Sequence, residues 1–202
     1  MNCLVIIDVQ NDFCKGGALE VKGGDNIVPT INKISPYFDK VIATKDWHPI
    51  NHISFADTHK KKVYDTININ GVTQVLWPVH CVQATKGADF HPELDTRPID
   101  IIIHKGTSPD IDSYSAFFEN DKNTETGLHY YLKGLKINDV YFVGLATDFC
   151  VFYSAMDSIR LGFNTYVIVD ATKGVDVNGS LDFSIKSMKE AGIKIITHDK
   201  IL

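Results

Sequence analysis

Cys3-Leu4-Val5-Ile6-Ile7-Asp8 is a run of five apolar residues closed by a carboxylate. A strand with one wet face alternates polar and apolar residues. This run does not, so it reads as a strand buried on both faces, as in a parallel sheet covered by helices. The pattern returns along the chain. Lys40-Val41-Ile42-Ala43-Thr44, Asp100-Ile101-Ile102-Ile103, Val140-Tyr141-Phe142-Val143, Tyr166-Val167-Ile168-Val169 and Lys194-Ile195-Ile196 read as further strands. Helical spacing fills the intervals. Asp25 can cap a helix carrying Ile27, Val28, Ile31, Ile34 and Phe38, with Pro29 tolerated in its first turn. Residues 127–136 put Leu128, Tyr131, Leu132 and Leu135 on one face. Residues 148–161 and 181–191 read as helices stopped by Gly162 and Gly192. Strands alternating with helices predict a doubly wound α/β fold. Its sheet is six-stranded and mainly parallel, with helices on both faces, in a single domain over 1–202.

Composition narrows the function classes. The 202 residues leave room for one domain with a sizeable core, and 44% of them are hydrophobic, so a folded globule is expected. The formal charge is -5, and Lys60-Lys61-Lys62 is the one cationic run, which argues against a nucleic-acid partner. Cys3, Cys14, Cys81 and Cys150 show no C-x-x-C spacing, so a zinc knuckle or thioredoxin-type pair is not expected. The first apolar run is too short for a secretory signal, and no window approaches a membrane span. Reduced thiols, cytoplasmic (or nuclear) residence and no membrane partner follow as expectations. The glycine-rich nucleotide-binding motifs are missing from the sequence.

The residues that suggest chemistry gather at one edge of this sheet. Asp8, Asp46, Lys105 and Cys150 each fall at or just beyond the C-terminal end of a strand, or of the turn that follows it. In a doubly wound sheet that edge holds the ligand crevice. Taken singly, such an Asp is usually a cap, a Lys solvated and a Cys a small core residue. Four together are harder to dismiss. Cys150 sits in Gly144-Leu145-Ala146-Thr147-Asp148-Phe149-Cys150-Val151, a strand-turn-helix passage. The first turn of a helix there would lower the thiol pKa and offer N–H groups to an oxyanion. Cys81 lacks that context and ranks below Cys150. Cys3 reads as core and Cys14 as structural.

A second group points to a metal. Asp46 and His48 form a D-x-H pair, which an extended backbone places on one side. His80 can complete a set of nitrogen and oxygen ligands suited to a borderline transition metal. Three protein ligands leave positions open for water and substrate. Residues 47–98 lack clear periodicity and hold both tryptophans, so an irregular metal-site or lid region is expected over about 46–98.

Several motifs in this order carry a family resemblance. They are Asp8-Val9-Gln10-Asn11-Asp12-Phe13, Lys45-Asp46-Trp47-His48-Pro49, Trp77-Pro78-Val79-His80-Cys81, Lys105-Gly106, Tyr114-Ser115-Ala116-Phe117 and Ala146-Thr147-Asp148-Phe149-Cys150-Val151. Together they resemble the nicotinamidases of the isochorismatase-like cysteine hydrolases, over nearly the whole chain. The resemblance implies Asp8, Lys105 and Cys150 as the catalytic triad. It implies the N–H groups of Ala146 and Cys150 as the oxyanion hole, behind a cis Leu145–Ala146 peptide. It implies Asp46, His48 and His80 as ligands of one divalent ion, zinc or iron first and manganese also compatible. Phe13, Trp77 and Tyr114 would wall the ring of the substrate. The implied reaction converts nicotinamide to nicotinate and ammonia through a cysteine thioester, a step of NAD salvage. Pyrazinamide is a second candidate substrate, and a homo-oligomer is compatible with the sequence. The short loop ahead of His52 places it outside the expected ligand set. Competing readings are another amidase of the superfamily, a non-catalytic binding scaffold and a structural zinc domain.

Overall fold

In a computed structural model of the chain, which describes residues 1–69 and 71–202, every residue from Cys3 to Ile7 is fully buried. Alternate residues serve opposite layers. Leu4 and Ile6 pack with Val28, Ile31 and Ile34, while Cys3, Val5 and Ile7 pack with Leu128, Leu132, Ala155 and Met188. A fully buried Ile or Leu side chain contributes about 1.5–3 kcal/mol by leaving water, so truncating Ile6 to Ala would also open a costly cavity. The elements run β1 (Asn2–Ile7), α1 (Val28–Ile34), β2 (Lys40–Asp46), α2 (Ala56–His59), β3 (Thr66–Ile69), β4 (Val72–Val75), β5 (Ile101–Lys105), α3 (Leu128–Gly134), β6 (Asp139–Leu145), α4 (Phe152–Arg160), β7 (Asn164–Lys173), α5 (Ser180–Glu190) and β8 (Lys194–Ile196). The main sheet has the order β5-β2-β1-β6-β7-β8, and every neighbouring pair is parallel. The α1 layer covers one face, and α3, α4 and α5 cover the other.

The strand order reverses between β1 and β6, which opens a crevice beyond their C-terminal ends. Two backbone features shape it. Asp8 turns the chain away from β1 with φ 47°, a left-handed conformation that Asp tolerates better than most residues. Gly144 has φ 108°, and a Cβ there would collide with the Ile7 carbonyl of the neighbouring strand, so only glycine lets the strands stay this close.

Three local expectations need correction. Asp25 makes no capping bond: Gly23 with φ 72° precedes a 3₁₀ turn over Gly24–Ile27, and α1 follows without a side-chain cap. The helix also stops at Ile34, where Pro36 opens a second 3₁₀ turn, because proline has no N–H to extend the α ladder. Residues 148–161 are not one helix. A π turn over Thr147–Val151 precedes α4, with the Val151 N–H bonded to the Ala146 carbonyl at 3.1 Å. The irregular segment contains an antiparallel hairpin, β3 with β4. Among the described residues no helix is long and apolar enough to cross a membrane.

Candidate active site

Parallel pairing delivers the strand-end residues to one place. Asp46 and Lys105 are direct partners in the β2–β5 register, Asp8 follows β1, and Cys150 lies in the turn after β6. All four side chains are at least nine-tenths buried. Lys105 Nζ contacts Asp46 Oδ1, the Ser113 carbonyl at 3.0 Å, Cys150 Sγ at 3.3 Å and Asp8 Oδ2 at 2.9 Å. An ammonium has three protons, so these four partners cannot all be hydrogen-bonded. Asp8 Oδ2 is the one left out: its contact with Lys105 is an ion pair without hydrogen-bond alignment, and it has no donor. Asp8 Oδ1 is held by the Thr44 hydroxyl at 2.6 Å. One carboxylate oxygen is therefore anchored and the other is free to take a proton.

The charges follow from burial and neighbours. Burial works against the Lys105 ammonium, but Asp46 and Asp8 hold its pKa well above the ordinary range. Burial would raise Asp46, yet Lys105 and then His48 keep it well below the usual carboxylate value. Asp8 is pushed up by burial, with Lys105 pulling it back and Asp46 adding repulsion. Cys150 departs from expectation. Burial drives its thiol well above the ordinary value despite Lys105, and the residue sits in a π turn rather than the first turn of an α-helix. The resting sulfur carries its proton, so attack needs a base.

Two histidines complete a donor set beside Asp46. His48 Nδ1 lies 2.9 Å from the Gly106 carbonyl and His80 Nδ1 lies 2.7 Å from the Pro78 carbonyl. Carbonyls only accept, so both Nδ1 atoms carry hydrogen, and Nε2 is the atom each ring turns inward and would offer to an ion. These Nε2 atoms lie 3.5 Å and 3.7 Å from Asp46 Oδ2. Metal bonds of about 2.0–2.2 Å at octahedral to tetrahedral angles set ligand atoms roughly 2.8–3.6 Å apart, so these separations sit at the upper edge of that range, and the three atoms, all within 4.8 Å of one another, converge closely enough for one ion. Gly106 is needed here, since a Cβ would run into the His48 ring. His52 stacks on His48 with ring centroids 4.0 Å apart, but neither of its nitrogens is free. Nδ1 accepts from the Ser54 hydroxyl at 2.7 Å, and Nε2 donates to the Ile111 carbonyl at 3.1 Å.

Gln10 and Asp12 hold these pieces in register. The Gln10 amide brackets the Asp46 backbone, accepting from its N–H and donating to its carbonyl, both at 2.8 Å. Asp12 Oδ2 accepts the Cys81 N–H at 2.7 Å, which pins the residue after His80. The Cys81 thiol is fully buried and raised well above its ordinary value by burial.

The resulting cleft is lined by Asp46, His80, Ala146 and Cys150 and by every aromatic the sequence singled out: Phe13, Trp77 and Tyr114. Trp77 Nε1 donates to the Tyr114 hydroxyl at 3.0 Å, which fixes both rings. The Leu145–Ala146 peptide is cis. Sequence reasoning missed Leu19, Val21, Phe149 and Val175, which complete the apolar wall, and Asp112, which lines it with a carboxylate. Their signal was weak. Only Asp112 and Phe149 stand next to or inside a chemical motif, and the others read as ordinary core.

The Isochorismatase domain model matches residues 2–200. A nicotinamidase of Acinetobacter baylyi is 50% identical, covering 100% of this chain and 95% of its own length. The solved structure of an Acinetobacter baumanii nicotinamidase and pyrazinamidase superposes with a TM-score of 0.98 at 49% identity, covering 100% of this chain and 98% of that one. A Pyrococcus horikoshii pyrazinamidase solved in complex with zinc gives a TM-score of 0.80 at 36% identity, over 97% and 98% of the two chains. With the fold, the cleft and these similarities in agreement, the chain belongs to the isochorismatase family.

Proposed function

We propose that the chain hydrolyses nicotinamide to nicotinate and ammonia through a thioester on Cys150, as a step of NAD salvage. The observation that carries this reading is a juxtaposition. A buried Cys150–Lys105–Asp8 cluster and three converging donor atoms of Asp46, His48 and His80 open onto one aromatic cleft. The whole chain acts as one hydrolase domain, and the segment over about 46–98 supplies most of the anchor.

The divalent ion, zinc or iron first and manganese also compatible with this donor set, would be held by Asp46, His48 and His80 and supply a Lewis-acid anchor for the pyridine nitrogen. The chain's own residues do the rest. Phe13, Trp77 and Tyr114 clamp the ring and present its carboxamide to Cys150. As Sγ attacks the amide carbon, its proton passes to the open Oδ2 of Asp8. The Ala146 and Cys150 N–H groups hold the developing oxyanion. The C–N bond breaks when Asp8 gives that proton to the nitrogen, and ammonia leaves. Water then adds to the thioester, losing a proton to Asp8. The C–S bond breaks, Asp8 returns the proton to sulfur, and nicotinic acid departs, its proton passing to the released ammonia to leave nicotinate. Lys105 stays charged throughout and keeps Asp8 in place. Pyrazinamide keeps a ring nitrogen in the same relation to the carboxamide and should also be cleaved.

An amidase acting on a substrate without a ring nitrogen would have no use for the Asp46, His48 and His80 atoms. Ammonia release from nicotinamide by the purified protein tests the reading. Activity should fall on chelation and return with zinc or iron. A metal-replete preparation that releases no ammonia would refute it.

A further inference from the structure

One buried carboxylate at the cleft has no cationic partner among the described residues. Asp8, Asp46 and Asp112 are carboxylates no more than 4% exposed, and Lys105 is the one ammonium paired with any of them among the described residues. Asp112 is the member without a role. Its Oδ1 accepts the Ser113 N–H at 2.8 Å and its Oδ2 accepts Gln74 Nε2 at 2.7 Å, but it forms no ion pair among the described residues. A carboxylate buried without a cation is costly, and proteins keep one where positive charge arrives. Asp112 lines the cleft with Asp46 and His80, and it lies within 4.8 Å of ligand-capable atoms of His48 and His52.

Lys105 pairs with Asp8 and Asp46 and leaves Asp112 without a cation, and an ion held by Asp46, His48 and His80 would bring positive charge beside it. We propose that Asp112 is a positioning residue for that ion, the second carboxylate of the metal centre, acting from outside the three ligating atoms and setting how tightly the ion is held. This rests on the metal site of the preceding reading. Asp112 stands outside the three-atom set: it groups with His48 and His52, whereas Asp46, His48 and His80 form their own group. Gln74 Nε2 also lies 3.2 Å from the Tyr114 hydroxyl, so the same carboxylate is close to the ring wall.

The test is metal affinity of the stripped full-length protein, measured with zinc against a chromophoric chelator, together with the melting temperature of the stripped form. Asp112→Asn should weaken zinc binding about 10–100-fold, the usual effect of losing an outer partner. Its stripped form should melt at or above the wild-type value, because an uncompensated buried charge has gone. Gln74→Leu removes the hydrogen bond but keeps the charge, and should bind zinc close to wild type. The cobalt absorption spectrum of Asp112→Asn should match wild type, since the ligating atoms are untouched. The proposal is overturned if Asp112→Asn binds zinc within about three-fold of wild type. It is also overturned if both variants weaken alike with lowered melting temperatures, or if the cobalt spectrum changes. If wild type and His48→Ala bind zinc equally, the metal site itself falls, and this inference with it.

Discussion

Asp8, Asp46 and Lys105 stand at strand ends whose register is set by parallel pairing, whereas His48, Trp77 and His80 stand on a segment whose regular elements, among the described residues, are a four-residue helix, a two-stranded hairpin and a short 3₁₀ turn. Both regions feed one cleft, but they are built differently. The strand ends belong to the most deeply buried part of the sheet, so the reactive groups are placed by the core itself. The irregular segment is held by single links. His48 bridges to the Cys81–Gln83 stretch through backbone bonds of 3.0 and 2.9 Å, and Phe55 bridges to Trp77. The difference suggests a division of labour, with bond breaking on the sheet and recognition of the ring on the segment. Substitutions at Asp8 and Lys105 should lower kcat and those on the segment should raise KM, with Asp46, the strand-end residue that converges with His48 and His80, following the segment.

The largest effect belongs to Cys150. Cys150→Ala should abolish ammonia release while nicotinamide still binds, because binding rests on the ion and the aromatic walls. Calorimetric titration of the variant checks the second half. Cys81→Ser should retain most activity, since its thiol is buried behind His80 and does not border the cleft. Turnover by Cys150→Ala would move the nucleophile elsewhere.

Asp8→Asn comes next. In the proposed mechanism it removes the oxygen that receives the Cys150 proton, so kcat should fall by at least ~100-fold, the lower end of a general acid–base contribution. A pH–rate profile unchanged from wild type would mean that Asp8 is not the base.

The segment should respond differently. Alanine at Asp46, His48 or His80 should each lower metal content and raise KM by at least ~10-fold, given that even outer partners cost 10–100-fold in metal affinity. His52→Ala should leave metal content near wild type, because both nitrogens of His52 already have partners. Elemental analysis of the four purified variants decides this, and a metal-free His52 variant would make it a ligand.

The smallest effect concerns Glu119 at the back of the site. Burial pushes its carboxyl up to about 7 although Lys105 pulls the other way, and its Oε2 has no partner. The folded state therefore favours the proton. That contribution to stability is full below the ordinary value of 4.5 and is lost as pH rises through about 7. Glu119→Gln mimics the protonated form. Its melting temperature should match wild type near pH 4 and exceed it by a few degrees at pH 8, on the scale of roughly 2–4 °C per kcal/mol for a chain of this size. Equal melting temperatures at both values would contradict the assignment.

The same contrast governs what could be read from sequence. Strands buried on both faces leave continuous apolar runs, so the main-sheet strands and the positions of Asp8, Asp46 and Lys105 at their ends were legible. The segment was legible only through its motifs. The hairpin was overlooked although Thr66-Ile67-Asn68-Ile69 and Val72-Thr73-Gln74-Val75 flank Asn70-Gly71, a common turn pair; position 70 lies outside the described residues. The π turn at Cys150 could not be foreseen, because helical spacing does not separate a π turn from an α turn. The raised thiol of Cys150 depends on tertiary burial, which a helix-dipole argument leaves out. Asp112 looks like any polar residue before a motif until its neighbours are known.

The division between the two regions is tested most directly by comparing nicotinamide with benzamide, which lacks the ring nitrogen, on metal-replete and stripped protein. The account predicts that stripping lowers kcat/KM for nicotinamide at least ~10-fold, mainly through KM, and leaves the weaker benzamide reaction nearly unchanged. A parallel loss for both amides would show that the ion serves bond breaking rather than anchoring, and would contradict the account.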